Sequence, residues 1–244
     1  MKKLIACIII VIISIGAIGC SSSNSNVIHV ATNAYFEPYE YYENNEIKGI
    51  DIDIVNEIGR RLNKEIIIDD MNFDVIIPAI TSGKCEIAIA AMTVTDERKH
   101  IVNFTDSYTA SVQKIIVHKD SDIDNIDDLV NKQIGVQAGT TGCIYAKDDF
   151  GEANVQEYTK FYELVKALND NKIDAIIIDE EPAKSALNDN ENIKILDTSY
   201  AEEEYAIAIA KDNTELYQMI NVTLQEMKKD GTIDNIISKY INNK

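Results

Sequence analysis

Runs of β-branched residues alternate with helix-spaced apolar residues from Val27 onward, and this alternation most constrains what the chain can fold into. Residues 27–32, 65–68 and 86–91 read as buried strands. Between the first two, Ile54, Val55, Ile58 and Leu62 recur on one helical face. Residues 73–80 read as a second helix capped by Asn72, although Pro78 inside it costs stability or kinks it. A β-α-β-α-β order predicts an α/β layer on a mostly parallel sheet.

A long strand at 112–118 and an acidic turn cluster at 119–128 lead into a second series. Strands are expected at 133–136, 154–158, 175–179 and 193–196. Helices are expected at 141–150, along the face of Phe161, Val165 and Leu168, and at 181–187. A β run at 205–210 precedes helices at 214–229 and 232–241, broken at Gly231. Two such series joined by two long strands predict two lobes with a double crossing. Residues 27–113 and 207–244 would form lobe 1, and residues 114–206 lobe 2. A ligand would lie between them, at the carboxyl ends of strands, where helix N-termini point into the crevice.

The first residues have another character. Lys2 and Lys3 precede the apolar run 4–18, and small residues lead to Cys20. That is the layout of an export signal, and the run is shorter than the roughly 18 residues a membrane span needs. A cysteine at the cleavage point resembles the lipobox of bacterial lipoproteins, with Ala17 where leucine is usual. The resemblance implies a signal peptide at 1–19, lipid on Cys20, and a flexible Ser/Asn tether through residue 26. It places the protein outside the cytoplasmic membrane, anchored to its surface.

About 224 residues remain after the signal, enough for one large domain or two small lobes. The formal charge of −18 includes Lys2 and Lys3, so the remainder lies near −20. Such a surface repels nucleic acid and keeps an exported protein soluble. Cys85 and Cys143 are the cysteines left in the folded part. Cys85 reads as a small core residue; Cys143 opens a helix, where a thiolate is favoured. Free, non-catalytic thiols are expected. His29, His100 and His118 show no metal-ligand spacing, and neither metal nor cofactor is expected.

Four segments carry the chemistry. The first is Ala31-Thr32-Asn33-Ala34-Tyr35-Phe36-Glu37-Pro38-Tyr39-Glu40-Tyr41, with Gly49-Ile50-Asp51-Ile52-Asp53 after it. The second is Phe73-Asp74-Val75-Ile76-Ile77-Pro78-Ala79-Ile80, running into Ser82-Gly83-Lys84. The third is Ala90-Ala91-Met92-Thr93-Val94-Thr95-Asp96-Glu97-Arg98, followed by Phe104-Thr105-Asp106-Ser107-Tyr108. The fourth is Gly135-Val136-Gln137-Ala138-Gly139-Thr140-Thr141-Gly142, matched later by Ile173-Asp174-Ala175 and Asp179-Glu180. In this order and spacing they resemble the polar amino-acid substrate-binding proteins of ABC importers (extracellular solute-binding protein family 3), over nearly all of residues 27–240. The resemblance implies the type II periplasmic binding protein fold: α/β, two lobes, two hinge crossings and a cleft.

Physical chemistry gives each residue a task. An amino acid brings a carboxylate and an ammonium, and both are costly to bury unless paired. Arg98 offers a planar fork for a carboxylate, the role the resemblance implies; the alternative is a surface pair with Asp96 or Glu97. The turn 139–142 before a helix suits an anion, so Thr140 or Thr141 would complete the carboxylate site, or serve as an ordinary N-cap. By resemblance, Thr93 supplies a hydroxyl and Ala91 a backbone contact. Ala90 and Ala91 replace serines of some relatives. Asp179, ending a buried strand, would take the α-ammonium. Phe36 and Phe73 would sandwich the side chain, unless they only pack the core.

Asn33 stands where several basic-amino-acid binders have aspartate, which argues against a strong lysine or arginine site, yet Glu37, Glu40 and Gln137 can supply acceptors for a cationic side chain. The stretch 137–142 looks most like Gram-positive arginine/lysine/histidine binders. The expected ligand is therefore a free amino acid, basic or polar, with cystine or glutamine as alternatives. The expected partners are an ABC permease and its ATPase, and the membrane through the lipid anchor, for a monomer that is not an enzyme. A rival reading is a cyclohexadienyl-dehydratase-like enzyme using Asp179 and Glu180 as acid and base, but no nucleophile–base pair or metal set supports it.

Overall fold

The structure, a computed structural model, describes residues 26–188 and 190–241. The export signal, Cys20 and the tether up to residue 25 lie outside the described residues.

The chain opens with β1 (Val27–Thr32), then a small ribbon of β2 (Tyr35–Phe36), β3 (Glu40–Glu43) and β4 (Glu46–Lys48). There follow α1 (Ile50–Leu62), β5 (Glu65–Asp70), α2 (Ile76–Thr81), β6 (Ile87–Ala88), α3 (Asp96–Ile101) and β7 (Val102–Phe104). A long strand, β8 (Thr109–His118), leads to β9 (Ile134–Gln137), α4 (Thr141–Phe150), β10 (Val155–Tyr158), α5 (Phe161–Asn169), β11 (Ala175–Asp179) and α6 (Glu180–Asn188). The return is made by β12 (Ile193–Tyr205), and β13 (Ala208–Ala210), α7 (Thr214–Lys229) and α8 (Thr232–Ile241) close the chain.

These elements build two five-stranded sheets, one per lobe, in the orders β5-β1-β6-β13-β7 and β10-β9-β11-β8-β12. In the first, β5, β1 and β6 run parallel while β13 lies antiparallel to β6 and β7. In the second, β10, β9 and β11 run parallel, with β8 antiparallel to β11 and β12. Each sheet is thus parallel on the side built by crossovers and antiparallel where the chain passes between lobes. Strands β8 and β12 stay paired from His118–Ile193 to Thr109–Tyr205, with register shifts between Ile195 and Ala201. Helices α7 and α8 pack on α1, so the end of the chain completes the first lobe.

Helix α1 shows why the local sequence sets the crevice wall. Gly49 precedes it at φ 133°, where a Cβ would lie 2.0 Å from the Tyr39 carbonyl oxygen. Only glycine allows that approach. Asp51 and Asp53 occupy the positive first turn, Arg60 and Arg61 the negative last one. Asn63 ends the helix in the left-handed region at φ 52°.

Three local expectations change. The helix expected at 73–80 begins as a 3₁₀ turn, Phe73–Val75, without a side-chain bond from Asn72. Pro78 then falls in the first turn of α2, where no N–H partner is lost, so it does not break the helix. The expected strand 86–91 is short because Ala91 turns left-handed at φ 43°. The expected β run at 205–210 divides between the end of β12 and β13. Cys85 and Cys143 are buried and free, as expected, and burial raises both thiol pKa values, Cys85 to about 11, which outweighs any help the helix start gives a Cys143 thiolate.

Candidate ligand-binding site

The two lobes meet around a narrow crevice. Asn33, Phe36, Phe73, Ala91, Thr93 and Arg98 line it from the first lobe, and Gln137, Thr140, Thr141 and Asp179 from the second. All ten residues singled out in the sequence therefore share one cavity, joined by Glu40 and Ala90.

Helix α3 sets Arg98. The Thr95 hydroxyl caps it by accepting from the Arg98 backbone N–H at 3.2 Å. The guanidinium turns inward, is 7% exposed, and lies over the Phe73 ring at 5.4 Å. One nitrogen donates to the Thr93 carbonyl at 2.7 Å and the other to the Gly139 carbonyl at 2.9 Å. The surface pair weighed for Arg98 is not formed, since Asp96 pairs with Lys99. Burial lowers the Arg98 pKa, and the nearby Glu203 carboxyl works against that fall. Glu203 comes from the crossing strand β12 and is itself buried. Burial raises its pKa, while the Thr93 and Thr141 hydroxyls and Arg98 favour its charged form.

Across the crevice, Gly139 adopts φ 78°. A Cβ there would come within 2.9 Å of the Asp74 Cα in the other lobe. The Thr140 hydroxyl caps α4, accepting from Cys143 N–H at 3.2 Å and donating to Gln137 O at 2.8 Å. Thr141 Oγ1 accepts from Gln113 Nε2 at 3.0 Å and lies 3.5 Å from Thr93 Oγ1. Hydroxyls, a helix N-terminus and a guanidinium converge here, a donor set suited to a carboxylate.

Asp179 ends β11 and Glu180 begins α6. Burial pushes the Asp179 carboxyl up to about 7, although the Tyr205 and Ser111 hydroxyls favour its charge. Its Oδ1 is buried without a hydrogen-bond partner. Glu180 instead pairs with Lys184 on the outer face. The remaining amides join the lobes: Gln137 Nε2 donates to Asn33 Oδ1 at 2.8 Å, and Asn33 Nδ2 donates to Met71 O at 2.7 Å. Phe36 lines the crevice and also meets Tyr39, with ring centroids 6.1 Å apart.

Two carboxyls add what sequence reasoning weighed too lightly. Glu40, read only as one acceptor among three, is 1% exposed, and Asp51, read only as part of a motif, is fully buried. Asp51 Oδ2 accepts from Ala91 N–H at 2.7 Å and from the Tyr108 hydroxyl at 2.9 Å. The left-handed turn at Ala91 aims that N–H. The two carboxyls act on each other's proton: Asp51 raises the pKa of Glu40, and Glu40 lowers that of Asp51. Burial raises Glu40 well above the usual carboxylate range and Asp51 to about 7. Glu37, the third acceptor, lies in a separate open groove beside Tyr35, Tyr42 and Tyr162.

The sequence matches the model of the bacterial extracellular solute-binding proteins, family 3, over residues 28–243. The chain belongs to this family. As a family 3 solute-binding protein it is similar to the arginine-binding extracellular protein ArtP of Bacillus subtilis, at 29% identity over 98% of each chain. Among solved structures, a mutant of ArgBP from T. maritima superimposes with a TM-score of 0.85 at 37% identity, over 89% of this chain and 96% of that one. An ancestral arginine-binding protein bound to glutamine also gives 0.85 at 37% identity, over 88% and 98%. The two-lobed α/β fold and the solute-binding class read from the sequence are those of the family. Its members are binding proteins, so the dehydratase reading falls.

Proposed function

We propose that this protein captures a basic amino acid outside the cytoplasmic membrane and hands it to an ABC permease. The observation that carries this is the charge arrangement of the crevice. The guanidinium of Arg98 shares the crevice with the carboxyls of Glu40 and Asp179, while Asp51 is buried beside Glu40 and Glu203 acts on Arg98 from β12. A basic amino acid is the complement, with one carboxylate and two cations. Arg98, Thr93 and the turn 139–142 take the α-carboxylate. Asp179 takes the α-ammonium. Phe36 and Phe73 flank the aliphatic stem, and Glu40, backed by Asp51, takes the cationic end. The names of ArtP, ArgBP and the ancestral protein support the same ligand class. Contacts from both lobes to one ligand favour the shut form, which docks on the permease. Lipid on Cys20 tethers the protein to the surface of the cell, in a Gram-positive arrangement.

Thermal unfolding with each of the twenty amino acids tests this, because only ligands that bind the native state raise its melting temperature. Arginine, lysine or histidine is expected to give the largest shift. A second reading, glutamine, has one observation in its favour: the ancestral arginine-binding protein was solved with glutamine bound. No shift with any amino acid overturns both.

A further inference from the structure

Glu40 and Asp51 are buried, each shifts the other's proton affinity, and Glu40 opens on the crevice. Two buried carboxyls that act on each other cannot both ionise without a cation. Among the described residues no Lys, Arg or His pairs with either. Asp51 Oδ2 has its two donors, but Asp51 Oδ1 and Glu40 Oε2 are buried with none, and a proton shared between the carboxyls supplies that need. The counter-charge for the pair must therefore come from protons or from the ligand.

We propose that the Glu40–Asp51 pair is a proton-operated selector of ligand class: doubly protonated it accepts a neutral polar side chain, and a cationic side chain expels one of the two protons. This rests on the amino-acid reading above. The surroundings offer no substitute charge. Tyr39 on the loop before β3, Tyr108 before β8 and Tyr205 on β12 are phenols that burial keeps neutral. Asp70 from β5 and Asp179 from β11 face Glu40 as like charges and disfavour its ionisation. The buried cation Arg98 is engaged by the Thr93 and Gly139 carbonyls.

The sign follows from the free protein, in which Asp51 titrates at about 7 and Glu40 well above its usual range. Below about pH 7 the pair holds two protons, and a ligand cation drives Asp51 to release one. Arginine affinity then rises by up to about tenfold per pH unit toward that value and levels off above it. Glutamine brings no charge to the pair and lacks this component. Asp179 meets the α-ammonium of both ligands, so its contribution cancels in the comparison.

Calorimetry of the purified protein with arginine and with glutamine, at about pH 5.5 and pH 8 in paired buffers of different ionisation enthalpy, counts the released protons. At the lower pH arginine is expected to release more than glutamine, by up to one proton. The difference should vanish at pH 8, with the arginine-to-glutamine affinity ratio at least about tenfold higher there. The double variant Glu40→Gln with Asp51→Asn, which keeps the shape but cannot titrate, is expected to make the ratio independent of pH. Should it not fold, the wild-type proton counts still decide. Equal counts and a constant ratio overturn the selector and leave the amino-acid reading standing. Binding of neither ligand overturns that reading itself.

Discussion

Gln137 Nε2 of the second lobe donates to Asn33 Oδ1 of the first at 2.8 Å, inside the closed crevice. Both side chains are buried, and Asn33 is held from behind by its bond to Met71 O. A bond between lobes exists only when they meet, so it stabilises the shut form over the open one. Gln137→Ala removes that bond and leaves Asn33 Oδ1 without its donor. Ligand affinity is expected to fall by about 1–3 kcal/mol, roughly five- to 150-fold. The melting temperature of the free protein should move far less. Titration calorimetry beside thermal unfolding separates the two; an unchanged dissociation constant would mean that the amide pair has no part in closure.

Arg98 is held by carbonyls from both lobes, which leaves its remaining N–H groups to a ligand carboxylate. Arg98→Ala is expected to cost about 2–5 kcal/mol of binding, because a buried carboxylate loses its partner. Arg98→Lys should recover only part, since an ammonium cannot reach two carbonyls and hold a bidentate ligand. Affinity equal to wild type in the alanine variant would remove Arg98 from the site.

Gly139→Ala tests closure without touching a charged group. The added methyl must sit at φ 78° and within 2.9 Å of the Asp74 backbone across the lobe seam. The backbone strain, on the order of 1–3 kcal/mol, burdens the turn in the open and shut forms alike, and the clash with Asp74 is added only in the shut form. The expected result is a lowered unliganded midpoint together with a smaller ligand-induced rise in melting temperature. A ligand-induced rise equal to that of the wild type would remove the Gly139–Asp74 seam from closure.

The site was legible where residue type and motif order coincide. Arg98, Asp179, Thr141 and Asn33 carry groups that cannot be buried idly, and their segments occur in a specific order. Glu40 and Asp51 were harder to read. Their burial comes from the β2–β4 ribbon folding over α1, and short polar strands such as Glu40–Glu43 and Glu46–Lys48 carry almost no period-two signal. The link between them is Gly49, whose glycine identity was visible but whose 2.0 Å approach to Tyr39 O is a tertiary fact. Glu203 was hidden differently: in Glu202-Glu203-Glu204 only strand alternation decides which acid points inward, and β12 was read as ending at Leu196.

The buried acids also set how the unliganded protein responds to pH. Burial pushes the Asp51 and Asp179 carboxyls up to about 7 in the fold, from 3.8 for a solvated aspartate. A raised folded pKa contributes stability that is complete below the unfolded value and is lost as pH climbs through the folded one. Glu57, bound by Arg60 and Arg61, is depressed to about 2, so its contribution is present above 4.5 and disappears only as pH falls through 2. The melting temperature of the free protein should therefore be highest near about pH 4 and decline toward pH 7. The general repulsion of a chain near −20 acts in the same direction, so the decline alone does not identify these groups. Asp51→Asn separates the causes, since the amide oxygen still accepts from Ala91 N–H and Tyr108 but no longer ionises. Asp122→Asn removes one exposed charge as a control. The expected outcome is a clearly shallower decline in the Asp51 variant than in the control. Matching slopes would assign the decline to net charge and leave Asp51 without a role in it.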